Sequence, residues 1–467
     1  MTTTAPPRTT APALGTATAP TRRGPGGVLA IILVGYFMVI LDNSIVITGL
    51  PHIATELKLS AGASAWVQNA YLLTFGGLLL LGARAGDILG RRRMFVVGLA
   101  LFALASVAVG LAPTGAKLIT ARAVQGVGSA ILAPSTLALL TASFPEGPQR
   151  TRATSAYGAV AGIGASVGLV LGGLLADLWS WRVGFLVNLP IGIAMLIAGR
   201  RILPETARTP GRFDLPGALL ATLGPAALVY GLVRAGEAGW SDPVTMSSMT
   251  AGAVLVVALV LVERSAAEPV LVLRLFSDRE RVGAYVARAL FLGAMMGFFI
   301  FTSQYLQDAW NWTPLAAGLG FLPMTIVNFA VAMAVPRLQR RTSGPVLLVV
   351  GLALATLGMA ALGLVGEHSV YWLGVGVPMA LIGAGQGLAF GPLTSSGIAR
   401  VDAAHAGAAS GAVNSVHQLG GALGMSLVLA ISTTYPQAMR AGAVLLAAAL
   451  AGAAVLVVPA ARSRRAG

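Results

Sequence analysis

The sequence predicts an all-α polytopic membrane protein with fourteen transmembrane helices, two sets of six with a two-helix hairpin between them. Three observations carry this reading. A chain of 467 residues that is 56% hydrophobic and 10% charged, with mean hydropathy +0.82, has more apolar side chain than one or two soluble cores can bury. Its apolar residues gather in runs of about 20, the length a helix needs to cross hydrocarbon. Most of its 31 Lys and Arg fall between those runs, in loops that alternate counting puts on one side, as the positive-inside rule requires. The formal charge of +15 is thus a product of topology and implies no nucleic-acid partner. The 59 glycines suit helices that pack through small residues in lipid. With no cysteine, disulfides and thiolate metal sites are excluded.

Residues 1–27 are rich in Thr, Ala and Pro, with Arg8, Arg22 and Arg23, and read as a disordered cytoplasmic tail. The first apolar run starts at Val28 and is too long for a cleaved signal peptide. Six spans are expected at about 28–50, 65–83, 94–112, 118–141, 153–176 and 183–203, forming an N-terminal half over 28–203. Arg200, Arg201, Arg208 and Arg212 then mark a return to the cytoplasm. Residues 204–281 hold an inserted hairpin, about 214–234 and 246–263, and its charged linkers. A C-terminal half over 282–460 supplies six more spans, at about 282–306, 314–336, 345–365, 370–393, 407–432 and 441–460. Residues 461–467 form a second cytoplasmic tail. The expected location is the cell membrane, multi-pass, with both termini inside.

The halves echo each other at a constant offset of eight helices. Tyr157-Gly158-Ala159-Val160 with Gly168 is answered by Ser410-Gly411-Ala412-Val413 with Gly421, and Gln125-Gly126 by Gln386-Gly387. Pro336-Arg337-Leu338-Gln339-Arg340-Arg341 is a worn copy of the loop at 82–93. Secondary carriers use such repeats for alternating access.

That loop, Gly82-Ala83-Arg84-Ala85-Gly86-Asp87-Ile88-Leu89-Gly90-Arg91-Arg92-Arg93, sets the orientation, because three consecutive arginines cannot lie in hydrocarbon. Glycines at 82, 86 and 90 would share one helical face and admit a second backbone. Gly82, Gly86, Asp87, Gly90, Arg91 and Arg92 are the expected conformational gate. Ionisable residues within spans are costly, at about 2.5–3.5 kcal/mol for one at a helix centre, and so are informative. Asp42 falls mid-depth in the first span, Arg122 in the fourth and Arg288 in the ninth. Asp42 reads either as a structural hydrogen-bonding group or as a carboxyl that takes up and releases a proton. Arg122 reads as its ion-pair partner, structural or coupled to it, and Arg288 as a side chain that snorkels to the surface.

The loop at 82–93 resembles the one between the second and third helices of the major facilitator superfamily, with Ile88 in place of the usual Arg. The resemblance becomes specific through Leu41-Asp42-Asn43-Ser44-Ile45-Val46, Leu50-Pro51, Trp66, Tyr71, Arg122 with Gln125-Gly126-Val127-Gly128, Trp181-Arg182 and Asn188-Leu189-Pro190. Together these are similar to the fourteen-span drug/proton antiporters of that superfamily, over nearly the whole chain from 28 onward. The resemblance implies proton coupling at Asp42, tuned by Arg122, and antibiotic resistance through multidrug efflux. It implies an exporter-type glycine seam in the fifth helix at Gly164, Gly168, Gly172 and Gly173, where Leu169 replaces the usual Pro. That bare face would pack against a helix of the other half. His417, where similar sequences often carry Arg, is a further proton-coupling candidate or a hydrogen-bonded structural histidine.

The expected activity is proton-coupled efflux of small amphipathic, often cationic compounds by alternating access. Dedicated export of one self-made metabolite, or a non-transporting sensor or scaffold, are the alternatives. Tyr36, Phe75, Gln125, Tyr157, Phe298, Gln304, Asn328, Gln386 and Asn414 are the expected cavity residues, because aromatic and amide side chains suit a wet apolar cleft. No catalytic constellation is visible, so no enzyme activity is expected. The absence of a Gly-x-x-x-x-Gly-Lys-Ser/Thr loop argues against ATP as the energy source within this chain. His52, His368, His405 and His417 show no metal spacing. The expected partners are protons, a small-molecule substrate and the bilayer. No cofactor is expected, and the chain is read as a monomer.

Overall fold

A computed structural model describes residues 25–206, 208–366, 369–402 and 405–460, with Pro25 and 161–163 described as backbone only. The tail calls at 1–24 and 461–467, and His368, lie outside the described residues. Residues 25–27, expected in the tail, open the first helix instead, with Pro25 at its first position, where a missing N–H costs no hydrogen bond.

Among the described residues the regular structure is helical throughout. The N-terminal half comprises α1 (Pro25–Glu56), α2 (Ala61–Leu89), α3 (Arg91–Gly110), α4 (Gly115–Ser143), α5 (Pro148–Leu178), a short α6 (Trp181–Leu186) and α7 (Asn188–Ile202). The hairpin is α8 (Leu215–Ala238) and α9 (Pro243–Ser265). The C-terminal half comprises α10 (Arg279–Asp308), α11 (Pro314–Leu319), α12 (Leu322–Leu338), α13 (Gly344–Leu362), α14 (Val377–Gly397), α15 (Ala406–Ile431) and α16 (Tyr435–Gly452). A π-helical turn at Trp372–Gly376 leads into α14 and another at Ala453–Val457 extends α16.

Taking α6 with α7 and α11 with α12, thirteen of these units are long and apolar enough to span a membrane. The fourteenth is α15, whose Asn414, His417 and Gln418 lower its hydropathy. It packs lengthwise on α10, α2 and α8, and its polar side chains line the cavity between the halves.

The two halves make the same contacts. In the first, α1 packs on α5, α2 and α3 on α4, and α3 on α7; in the second, α10 packs on α15, α12 and α13 on α14, and α13 on α16. The seams between halves correspond as well: α2 lies on α15, and α5 on α11. The hairpin stands outside this symmetry, with α8 against α2 and α15 at once. Its Glu237 accepts from Ser60 Oγ (3.0 Å) and the Gly62 amide (3.1 Å), tying the hairpin to the start of α2.

In lipid the hydrophobic effect does not draw helices together, so close backbone contact and polar bonds must do so. Gly82 is such a contact: a Cβ there would run into the Ala130 carbonyl of α4. The expected seam of Gly82, Gly86 and Gly90 is corrected here. Gly90 lies outside the helix, with φ +104° joining α2 to α3, a conformation L side chains rarely adopt. At Gly86 a Cβ would meet only Arg91 Cγ and Ser135 Oγ, both at 3.8 Å.

Gly82→Val should therefore destabilise the protein by about 1–3 kcal/mol through overpacking, while Gly86→Ala should stay within about 0.5 kcal/mol of the parent. Thermal unfolding of the purified variants compares them, and equal midpoints would remove the Gly82 crossing from the account of how α2 packs.

Candidate functional site

The first half encloses a polar cluster with no solvent exposure. Asp42, in the middle of α1, lies 2.5 Å through Oδ2 from Arg122 Nη1 of α4. Its other oxygen accepts from Gln125 Nε2 (2.7 Å) and from Asn188 Nδ2 of α7 (3.2 Å). Gln125 and Asn188 also donate to Ser106 Oγ of α3, at 2.6 and 3.3 Å. Arg122 and Gln125 share a helix face by their spacing of three, and Arg122 Nη1 also donates to Gln125 Oε1 at 2.6 Å. Arg122 Nε reaches the Val67 carbonyl of α2 at 3.1 Å. The guanidinium is flanked by the rings of Tyr71 (4.3 Å) and Phe185 (5.9 Å). Arg122 Nη2 and Asn188 Oδ1 have no partner, so the cluster is not fully satisfied.

Neither Asp42 nor Arg122 faces the central cavity. Asn43 and Ser44, the next two residues of α1, do, and Tyr71 lines the cavity on one side while stacking on Arg122. This cavity, of about 1090 Å³, lies between the halves. Its mouth is formed by Arg84, Asp87 and Arg91 of the 82–93 region with Arg212, Asp214 and Glu268 of the linkers. Deeper in, Tyr36 and Tyr157 stack at 3.9 Å between centroids, and Phe75, Gln386, Asn414, His417 and Gln418 contribute to the wall.

Other expected cavity residues lie elsewhere. Gln125 belongs to the buried cluster, and Phe298 is fully buried against Phe299 and Phe321. Gln304 and Asn328 are half-buried outside the cavity lining. Sequence reasoning missed Ser106 and Asn188 as cluster members, although Asn188 stood in a recognised motif; only a short polar side chain at a buried helix position signalled Ser106.

Arg288 corrects a second expectation. It does not snorkel: it is 3% exposed and lines the cavity, donating to Thr394 Oγ1 (3.0 Å) and His417 Nδ1 (3.2 Å), with its guanidinium 4.6 Å from the centre of the Phe390 ring. Its position on the inner face of α10 turns it away from lipid, and partners on α14 and α15 hold it there.

The charged side chains around the mouth are engaged in local pairs rather than in one lock. Arg91 bonds Asp87 at 3.1 Å and the Ala138 carbonyl at 3.3 Å, Arg92 pairs with Glu205 at 3.4 Å, and Arg84 pairs with Glu268. Glu268 lies outside the spans, and the Arg212 amide and Arg84 hold its carboxyl below the usual range, so it remains ionised near neutrality.

At the opposite end the halves touch directly. A Cβ on Gly173 of α5 would strike the Pro314 carbonyl, and one on Gly318 of α11 would lie 2.6 Å from the Leu169 carbonyl. Gln307 of α10 donates to the Thr48 carbonyl of α1 at 3.2 Å. A separate pocket of about 420 Å³ beyond this contact, lined by His52, Trp179, Asp308 and Trp312 among others, shares no residue with the cavity. The glycine seam is thus corrected: Gly164, Gly168 and Gly172 face Ile40, Ser44 and Ile45 of α1 in their own half, and only Gly173 faces the other half. Three positions four apart occupy one stripe, whereas Gly173 is turned by one residue. Leu169 lines the cavity.

Two six-helix halves around a cavity open at one end, with a buried ion pair behind its wall, define a two-lobed membrane protein of the transporter type. The profile of the Major Facilitator Superfamily matches residues 32–425. The chain belongs to that superfamily. It is 40% identical over 410 residues to the puromycin resistance protein pur8 of Streptomyces alboniger, covering 87% of this chain and 81% of that one. It is 38% identical over 409 residues to the cephamycin export protein CmcT of Amycolatopsis lactamdurans, covering 86% and 84%. Among solved structures it resembles a POT family transporter in complex with a thioalcohol-conjugated peptide, with TM-score 0.70, 14% identity and coverage of 94% and 96%; at that identity the likeness concerns the fold.

Removing one partner of a buried ion pair leaves an uncompensated charge. Arg122→Ala should therefore lower stability by about 3–5 kcal/mol, and Arg122→Ala combined with Asp42→Asn should lower it less. Unfolding midpoints of the three proteins test this; additive losses would show that Asp42 does not depend on Arg122.

Proposed function

We propose that the protein is a proton-driven exporter of small amphipathic compounds that works by alternating access as a monomer in the cell membrane, with both termini in the cytoplasm. The supporting observation is the placement of the Asp42–Arg122 pair one residue behind Asn43 and Ser44 on the cavity wall. Burial penalises the carboxylate and Arg122 supports it, so a movement of α1 against α4 alters the balance and with it the hold on a proton. Occupation of the cavity presses on the same stretch of α1. An inward proton at a potential of about 100 mV releases about 2.3 kcal/mol, enough for a modest outward gradient without a cofactor.

In this reading the arginine-rich mouth opens to the cytoplasm, and α5 with α11 forms the closed outer gate. Asp87, Arg91 and their neighbours open and close the mouth. The acids at that mouth, Asp87, Asp214 and Glu268, are each engaged by a local partner, so they offer no free counter-charge to the often-cationic compounds implied by the sequence resemblance. Dedicated export of one self-made metabolite is the second reading, favoured by a relative named for cephamycin export.

Asp42→Asn in proteoliposomes should bind substrate and show no flux in response to a pH step, while retaining downhill exchange. Flux equal to the parent's would move the proton path elsewhere. Gly173→Leu should disfavour outer closure, because its side chain meets the Pro314 backbone. The chain has no native cysteine, so a single cysteine at Thr48 reports directly: labelling by an impermeant maleimide added from outside should rise in the Gly173→Leu background, and unchanged labelling would remove Gly173 from the gate.

A further inference from the structure

We propose that the cavity carries a subsite for an acidic group, built by Arg288 with Thr394 and His417, and that the transported compounds are amphipathic organic acids: an aromatic or hydrocarbon body bearing one carboxylate or sulfonate. The transport part rests on the export reading; the binding part stands without it.

Charge balance is the first argument. The acids lining the cavity are Asp87, Asp214 and Glu268, all at the mouth and all engaged. Asp87 pairs with Arg91, Glu268 pairs with Arg84 and accepts from the Arg212 amide, and Asp214 accepts from the amides of Gly217 and Val270. Asp42 is bound to Arg122 behind Tyr71. Among the described residues no carboxylate lies within ion-pair distance of Arg288, although it is 3% exposed. A guanidinium held in an apolar cavity without a counter-ion is unfavourable unless an anion completes it.

The donor geometry is the second argument. Arg288 spends Nη1 on Thr394 and Nη2 on His417, and its Nε has no partner. Arginine can only donate, so His417 Nδ1 must accept, which fixes the neutral imidazole with its proton on Nε2. A protonated His417 would set two cations against each other. The Nε2–H of His417 has no protein acceptor among the described residues and is a second donor in the same wall. Phe390 supports both groups, stacking under the guanidinium at 4.6 Å and meeting the imidazole edge-on at 5.9 Å. Across the cavity, the stacked Tyr36 and Tyr157 offer a flat apolar surface for the body of the ligand. A cationic head at this depth would meet Arg288.

The test uses two dyes with the same aromatic skeleton, anilinonaphthalene sulfonate and uncharged phenylnaphthylamine, binding to the full chain in nanodiscs, with partition into protein-free nanodiscs subtracted. The parent should prefer the sulfonate by about tenfold. Arg288→Gln should bring the ratio to about one, and Arg288→Lys should keep part of the preference. Monodispersity and unfolding midpoint establish that each variant is folded; if Arg288→Gln is not, His417→Leu should still reduce the ratio by about threefold. A parent ratio at or below one, or a ratio unaltered in a folded variant, overturns the subsite. In proteoliposomes of the same lipid, pH-driven flux of phenylnaphthylamine without any preference for the sulfonate would sink the subsite and spare the export reading. A preference for the sulfonate without pH-driven flux of either dye would do the reverse.

Discussion

A carboxylate and a guanidinium share the middle of the first half, both fully buried, and much of the local sequence serves to make that tolerable. Two charges removed from water are stable together only when geometry is close and the remaining lone pairs and protons are used. Asp42 therefore draws donors from α4 and α7, Ser106 from α3 links them, and the Val67 carbonyl and two aromatic rings complete Arg122. Six helices, α1, α2, α3, α4, α6 and α7, contribute to this one cluster. The unused Arg122 Nη2 and Asn188 Oδ1 leave the cluster room to exchange partners, which suits the proton release proposed for Asp42.

Around that pair the halves are assembled by backbone proximity. The stripe of Gly164, Gly168 and Gly172 lets α5 lie on α1, so that the helix bearing Asp42 and the helix bearing the Gly173 contact are packed backbone to backbone. That contact is made by packed helices rather than by a chain of hydrogen bonds, and α10 packs on α15 in the second half in the same way.

Hydropathy and the arginine loops made the helix count legible, because both follow from the free energy of placing side chains in hydrocarbon. The Asp42–Arg122 pairing was legible too: an isolated acid and an isolated base at mid-span have few other ways to be tolerated. Direction was harder to read. Spacing by four places glycines on one stripe but does not say which neighbour the stripe meets, and so the α5 seam was assigned to the other half when three of its four glycines meet α1. Arg288 failed for a related reason, since its distance from the helix end permitted snorkelling and only the inner-facing angle of α10 excluded it. Cavity residues were legible where chemistry was distinctive, as with Tyr36 and Tyr157, and not for Phe298, whose size suits a core equally well.

The hairpin breaks the symmetry of the two seams. Because α8 lies against both α2 and α15, the crevice between those helices is roofed over along its lipid-facing side, while no extra helix among the described residues covers the crevice between α5 and α11. A compound dissolved in the bilayer thus meets a protein with a shuttered flank and a bare one. A lipid-borne molecule that approached the two seams from the side would meet α8 at one and no added helix at the other, an asymmetry that comes from the insertion rather than from either repeat.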